Sequence, residues 1–214
     1  MPTIYLVRHG QASFGTDDYD VLSDLGRVQA DVAGAELARR PLRDPVLGSG
    51  ALVRQRDTAE IVGSRLGVEP SFIDERWNEL DAHALVDRRL GGPGASAGLT
   101  SAAFQEYLDE ELIASIESAD PVWTSFADGV REALDDLAER LPRGRDAVVA
   151  TSAGVIAALG AHLIGGSASA VVAFNRVSVN ASLTTVTASA RRKSLLTFND
   201  HSYLLGDSGL RTYR

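Results

Sequence analysis

Thr3-Ile4-Tyr5-Leu6-Val7-Arg8-His9-Gly10 is the stretch on which the fold turns. Its first five residues are apolar or β-favouring and read as a buried strand. Arg8-His9-Gly10 then stands at the carboxyl end of that strand, where open α/β sheets bind their ligands. Alone, the tripeptide suits a hydrogen-bonded histidine beside a surface arginine equally well.

Working outward, Gly10 to Asp20 is polar and loop-like. Ser23 is placed to cap a helix reaching about Arg40, with Leu25, Val28, Val32, Ala35 and Leu37 on one face and Pro41 ending it. Val46-Leu47-Gly48-Ser49 reads as a second strand, Arg54 to Leu66 as a helix stopped by Gly67, and Ser71-Phe72-Ile73 as a third strand. Residues 82–100 contain Gly91-Gly92-Pro93-Gly94 and read as an irregular, mobile loop. Two helical stretches follow, about 101–117 and 122–141, the second with Phe126, Val130, Leu134, Leu137 and Leu141 at helical spacing.

Ala147-Val148-Val149-Ala150-Thr151 is the clearest buried strand, and Gly154 to Ile164 is an apolar helix behind it. Ala181 to Val186 and Ser194 to Phe198 read as two strands joined by a basic turn at Arg191-Arg192-Lys193. Strands alternating with helices predict a three-layer α/β/α fold on a mostly parallel sheet. One domain spanning residues 1–214 is expected, with an irregular and helical insertion at about 82–122.

Bulk properties narrow the function classes. The chain has 214 residues, 44% of them apolar and 23% charged, the balance of a folded globular protein. Its 21 basic and 29 acidic side chains give a net charge of −8. That argues against nucleic-acid or anionic-membrane partners, which need basic surfaces. The absence of cysteine removes thiolate nucleophiles and Cys-based metal sites. The first residues lack the pattern of a signal peptide, and the apolar run from Ala153 to Ile164 is too short to span a bilayer, so a cytoplasmic protein is expected.

Three further places carry chemistry. Arg54 opens the helix after the second strand, with Arg56 as a rival. Glu79 sits in Arg76-Trp77-Asn78-Glu79-Leu80-Asp81, with Asp81 as a rival two residues away and Trp77 as a core or pocket-wall aromatic. Thr151-Ser152-Ala153-Gly154 ends the strongest strand and opens a helix, a natural anion seat.

These four places, taken in order, resemble the histidine phosphatase superfamily, also called phosphoglycerate mutase-like. The stretch Leu22-Ser23-Asp24-Leu25-Gly26-Arg27-Val28-Gln29-Ala30 resembles the family's first helix, and Asn199-Asp200 its C-terminal signature. The resemblance runs from residue 4 to about residue 204. It implies that His9 is a nucleophile forming a phosphohistidine, that Arg8 and Arg54 grip the phosphoryl oxygens, and that Glu79 gives a proton to the leaving oxygen. Guanidinium suits the grip because it stays charged and donates bidentately. A small phosphorylated substrate or inorganic phosphate is the implied partner, with no cofactor and no metal. A homodimer is left open.

One position departs from the family's pattern. Its usual Ser-His-Gly is here Ser152-Ala153-Gly154, so a side chain that would donate to the phosphoryl group is absent. Losing one such donor costs on the order of 10²–10³ in rate when nothing replaces it. Ser152 and the backbone N–H groups of Ala153 and Gly154 are candidate substitutes, and His83 and His201 are further ones without a place. Two readings stay open: an altered phosphatase, or a phosphate-binding protein with weak or no turnover. The run Gln11-Ala12-Ser13-Phe14-Gly15 lacks the Glu-Ser-x-Trp-Asn of the glycolytic mutases, which favours hydrolysis over mutase activity. Gln11, Ser13, Phe14, Tyr19 and the 82–100 loop are the expected substrate determinants.

Overall fold

In the computed structural model, which describes residues 1–13, 20–189 and 192–213, the first strand lies near the middle of a six-stranded sheet. β1 (Thr3–Arg8) pairs in parallel with β4 (Ala147–Thr151), which pairs in parallel with β2 (Val46–Ser49), and β2 with the short β3 (Phe72–Ile73). On its other side β1 meets β5 (Leu183–Ala188) antiparallel, and β5 meets β6 (Lys193–Asp200) antiparallel. Only β5 runs against the rest, so the sheet is mostly parallel and the expected α/β class holds.

Alternation along the central strands builds two cores. Ile4, Leu6, Ala147 and Val149 face α5 (Pro121–Arg140) and α6 (Ala153–Ile164), packing with Trp77, Val130, Leu134, Ile156 and Leu159. Tyr5, Val7, Val148 and Ala150 face the other way, onto Ala33 and Leu37 of α1 (Asp24–Arg39) and Ala59 and Val62 of α2 (Val53–Leu66). Period-two burial on both faces is what a sheet covered by helices demands. Each fully buried leucine or isoleucine contributes about 1.5–3 kcal/mol.

Helix ends follow local chemistry. The Ser23 hydroxyl accepts from Gly26 N–H and starts α1. Gly67 takes the left-handed conformation at φ 67° and stops α2. The buried face of α1, however, is Gly26, Gln29, Ala30, Ala33, Gly34 and Leu37, whereas Val28 is exposed. A Cβ on Gly34 would come within 2.9 Å of Arg65 Cβ, so α1 and α2 approach too closely for bulky residues. Small size, rather than hydrophobic bulk, selects this face.

The 82–100 segment also differs from the loop expected. Residues 82–90 form α3 (Ala82–Leu90), capped by Asp81 and ended by Gly91 at φ 107°. The turns after it are tied back by Asp87, whose carboxylate accepts from Gly94 and Ser96 N–H. Leu85 and Val86 of α3 pack on Leu108 and Leu112 of α4 (Ser101–Glu117) and Val172 of α7 (Ala168–Val177). Glycine-rich sequence marked the turns but hid the short amphipathic helix before them.

Candidate active site

The carboxyl ends of β1, β2 and β4 lie side by side, with Arg8 level with Thr151 and Ser49 with Ala150. Residues that follow these strands therefore meet above one sheet edge. His9 N–H donates to Thr151 O (2.8 Å), extending the β1–β4 ladder one step. Gly10 then passes against α1. A Cβ on Gly10 would sit 2.1 Å from Gly26 O, and one on Gly26 2.1 Å from Gln11 O. Backbone touches backbone there, so both positions require glycine.

His9 is buried, and both ring nitrogens are engaged. Arg54 Nε–H faces His9 Nε2 at 3.2 Å, and His9 Nδ1 lies 2.7 Å from Gly10 O. Arginine can only donate, so Nε2 is the acceptor and Nδ1 carries the proton. Burial holds the imidazole pKa well below the ordinary histidine value, and the charges of Arg54 and Arg8 push the same way. The ring is neutral, with its lone pair on Nε2 directed at the Arg54 guanidinium.

Arg54 is the second residue of α2 and is buried, while Arg56 is exposed. Arg54 Nη1 donates to Asp20 Oδ1 (2.6 Å), and Asp20 Oδ2 accepts from Val53 N–H (2.9 Å). Arg8 Nη1 donates to the carbonyls of Ser178 and Tyr213.

Glu79 arrives from the loop after β3. Its Oε2 accepts from Gly154 N–H (3.2 Å) and its Oε1 from Leu80 N–H (3.1 Å). Burial raises its pKa, against the opposing pull of those N–H groups and of Arg54 and Arg8. Asp81 is used otherwise: it is exposed and accepts from Ala84 N–H as the cap of α3. The loop is held by its neighbours. Gln55 Nε2 donates to Trp77 O (3.0 Å) and Ser152 Oγ (2.8 Å), Thr151 Oγ1 donates to Trp77 O (2.7 Å), and Asn78 Oδ1 accepts from Ala51 N–H (2.6 Å).

The remaining expected residues are placed as follows. Ser152 is fully buried with its hydroxyl on Gln55, Ala153 heads α6, and the Gly154 N–H is engaged by Glu79. Gln11 Oε1 accepts from the Ser23 hydroxyl (3.2 Å), and Ser13 N–H donates to Val21 O (2.8 Å). Phe14 and Tyr19, and Arg191 of the expected basic turn, lie outside the described residues. His83 is exposed and rests on the Phe104 ring at 4.7 Å, while His201 Nδ1 lies 2.6 Å from Asn199 O, beyond β6. Among the described residues no group of three or more His, Asp or Glu is arranged to hold a metal ion. No helix among them is long and apolar enough to cross a membrane.

A buried neutral histidine, two arginines and a carboxyl of raised pKa therefore meet at one sheet edge. The sequence model of the histidine phosphatase superfamily (branch 1) matches residues 4–201. The chain belongs to that superfamily. Solved members of the fold agree with the architecture. A mycobacterial glucosyl-3-phosphoglycerate phosphatase with inorganic phosphate superposes with a TM-score of 0.66 at 24% identity, over 95% of this chain and 99% of that one. A phosphoglycerate mutase from Bacillus anthracis gives 0.61 at 17% identity, over 94% of both chains. A phosphoserine phosphatase from Entamoeba histolytica, solved with phosphoserine, gives 0.60 at 16% identity, over 95% of this chain and all of that one. No curated protein matches the sequence.

This member of the superfamily also holds polar residues that the sequence did not single out. Gln29 and Asn180 are fully buried beside the loop that carries His9. Gln29 Oε1 accepts from Gln11 N–H, and its Nε2 donates to Leu210 O and Thr212 Oγ1, each at 2.8 Å. The Thr212 hydroxyl donates to Asn180 Oδ1 (2.9 Å), and Asn180 Nδ2 donates to His9 O (3.3 Å). The one available signal was Gln29, a polar residue on a helix face made, Leu37 apart, of small residues.

Proposed function

We propose that the protein is a phosphomonoester hydrolase working through a phosphohistidine on His9. The observation that carries this is the Arg54 Nε–H to His9 Nε2 contact. It fixes a neutral imidazole with its lone pair in an anion-attracting pocket. Nε2 attacks phosphorus as the P–O ester bond breaks, and the leaving oxygen takes the proton of the Glu79 carboxyl. Glu79 carboxylate then takes a proton from water, the hydroxide oxygen bonds to phosphorus, and the P–Nε2 bond breaks to release phosphate. Arg8 and Arg54 balance the charge on the non-bridging oxygens throughout.

Ala153 stands where the family has its second histidine, and this supports a reduced rate. In this reading Ser152 and Gly154 act by holding Gln55 and Glu79, and the Ala153 backbone faces the phosphoryl group. In the same reading Gln11, Ser13 and Phe14 recognise the rest of the substrate. The test is acid-labile phosphate trapping across a panel of phosphomonoesters. Wild type should trap phosphate on His9, His9→Ala should trap none, and Glu79→Gln should turn over far more slowly. Phosphate or vanadate binding without any phosphohistidine or turnover would favour the binding-protein reading instead.

A further inference from the structure

The Asp20 carboxylate is in direct contact with Arg54 of the phosphate grip, and nothing in the mechanism above uses it. Its two oxygens do separate jobs. Oδ1 takes the Arg54 Nη1–H at 2.6 Å and Oδ2 takes the Val53 N–H at 2.9 Å. Val53 is the first residue of α2, and the Leu52 before it has no side-chain oxygen with which to cap the helix. Asp20 therefore supplies the cap from outside the helix, and anchors the guanidinium two residues into it.

The stereochemistry of guanidinium says which role this is. The Nε–H and one Nη2–H run parallel and form a bidentate edge, while Nη1 is the corner on the far side of the Nε–H direction. Arg54 turns Nε to His9 Nε2 and Nη1 to Asp20. A phosphoryl group on His9 Nε2 would meet the Nε–Nη2 edge, with the Asp20 contact intact. Without that contact the guanidinium would lose one of its fixed points, and the edge would be held less firmly in place.

We propose that Asp20 is a positioning residue that orients Arg54 by its third corner, so that the Nε–Nη2 edge is held ready for the phosphoryl oxygens. This rests on the phosphate-site reading above, and it opposes the alternative in which Asp20 is a resident anion that substrate must displace.

The test is inorganic phosphate binding to the full chain by titration calorimetry, for wild type, Asp20→Asn, Arg54→Lys and the double variant, with Tm measured for each. Asparagine matches aspartate in shape but cannot accept with both ends. Orientation through Arg54 predicts that Asp20→Asn weakens phosphate about tenfold in the wild-type background. It predicts no further loss on the Arg54→Lys background, where there is no edge to orient. The same factor in both backgrounds would make Asp20 a helix cap alone. Tighter phosphate in Asp20→Asn would make it a competing anion, and either result overturns the proposal. If wild type binds no phosphate, the phosphate-site reading itself fails. A variant-free readout is the ¹⁵N spectrum of Arg54: phosphate should move the Nε resonance and leave the Asp20-paired Nη1 in place. Loss of the Nη1 pairing on phosphate addition would also overturn it.

Discussion

The Glu79 carboxylate rests on the backbone N–H of Gly154, 3.2 Å away, in the first turn of α6. The fit leaves no room for a side chain: a Cβ at residue 154 would come within 2.2 Å of Glu79 Oε1. Gly154→Ala should therefore expel the Glu79 carboxyl, the proposed proton donor, while keeping the helix, since alanine is the better helix former. We expect kcat to fall on the order of 10²-fold or more, the range for a general acid, with Tm little changed. Steady-state kinetics beside a thermal melt will separate the two effects.

Ala153 gives the opposite test. It is buried at the head of α6, and histidine at a first helical position breaks no backbone hydrogen bond. If a phosphoryl donor is missing, Ala153→His should raise kcat by roughly 10–100-fold, most of what one such donor is worth. Unchanged or lower turnover would show that this chain no longer needs it.

The pH dependence follows from two opposed shifts. The pKa of His9 is held well below the ordinary histidine value, first by burial and then by Arg54 and Arg8, so the proposed nucleophile should stay competent into mild acid. In the proposed mechanism Glu79 must be protonated to donate, and burial raises its pKa. Activity should accordingly be greatest on the acid side and decline as pH rises through the Glu79 pKa, above the ordinary carboxylate range. Glu79→Gln should abolish that alkaline limb along with most of the rate. A limb that survives the substitution would assign it to another group.

A control lies at the far end of β1. Asp146 is buried and accepts from Thr3 N–H (2.7 Å), Arg43 N–H (2.9 Å) and the Arg43 guanidinium. Burial alone would raise its pKa, but these donors outweigh it and hold the carboxyl below its ordinary value. Its stabilisation is therefore present above the unfolded-state pKa and is lost as pH falls through the folded one. Asp146→Ala strands two backbone donors and should cost about 2–4 kcal/mol at neutral pH. Urea unfolding should show the loss, while kcat/KM of the folded fraction stays near wild type.

How much of this was written in the sequence differs by kind of residue. β2 and β4 match their apolar runs residue for residue, because a strand buried on both faces must be continuously apolar. His9 and Arg54 stand at a strand end and a helix start that periodicity locates, and together with Glu79 they could be named because the ordered motifs resemble the histidine phosphatase family. The buried face of α1 was misread because close helix packing selects size over hydrophobicity. α3 was missed because one short turn-bounded helix carries little periodicity. Asp20, Gln55, Asn78 and Asn180 look like surface residues in a string, and their partners are remote; Gln29 and Thr212 are separated by 183 positions. Polar residues buried by distant contacts leave no local trace.

That last network has a consequence for folding. β1 lies between β4 and β5, and the loop carrying His9 is pinned through Gln29, Asn180 and Thr212. Pairings between residues so far apart along the chain close large loops and are slow to form. The arrangement around His9 should therefore set late in refolding, after the helices with their local contacts.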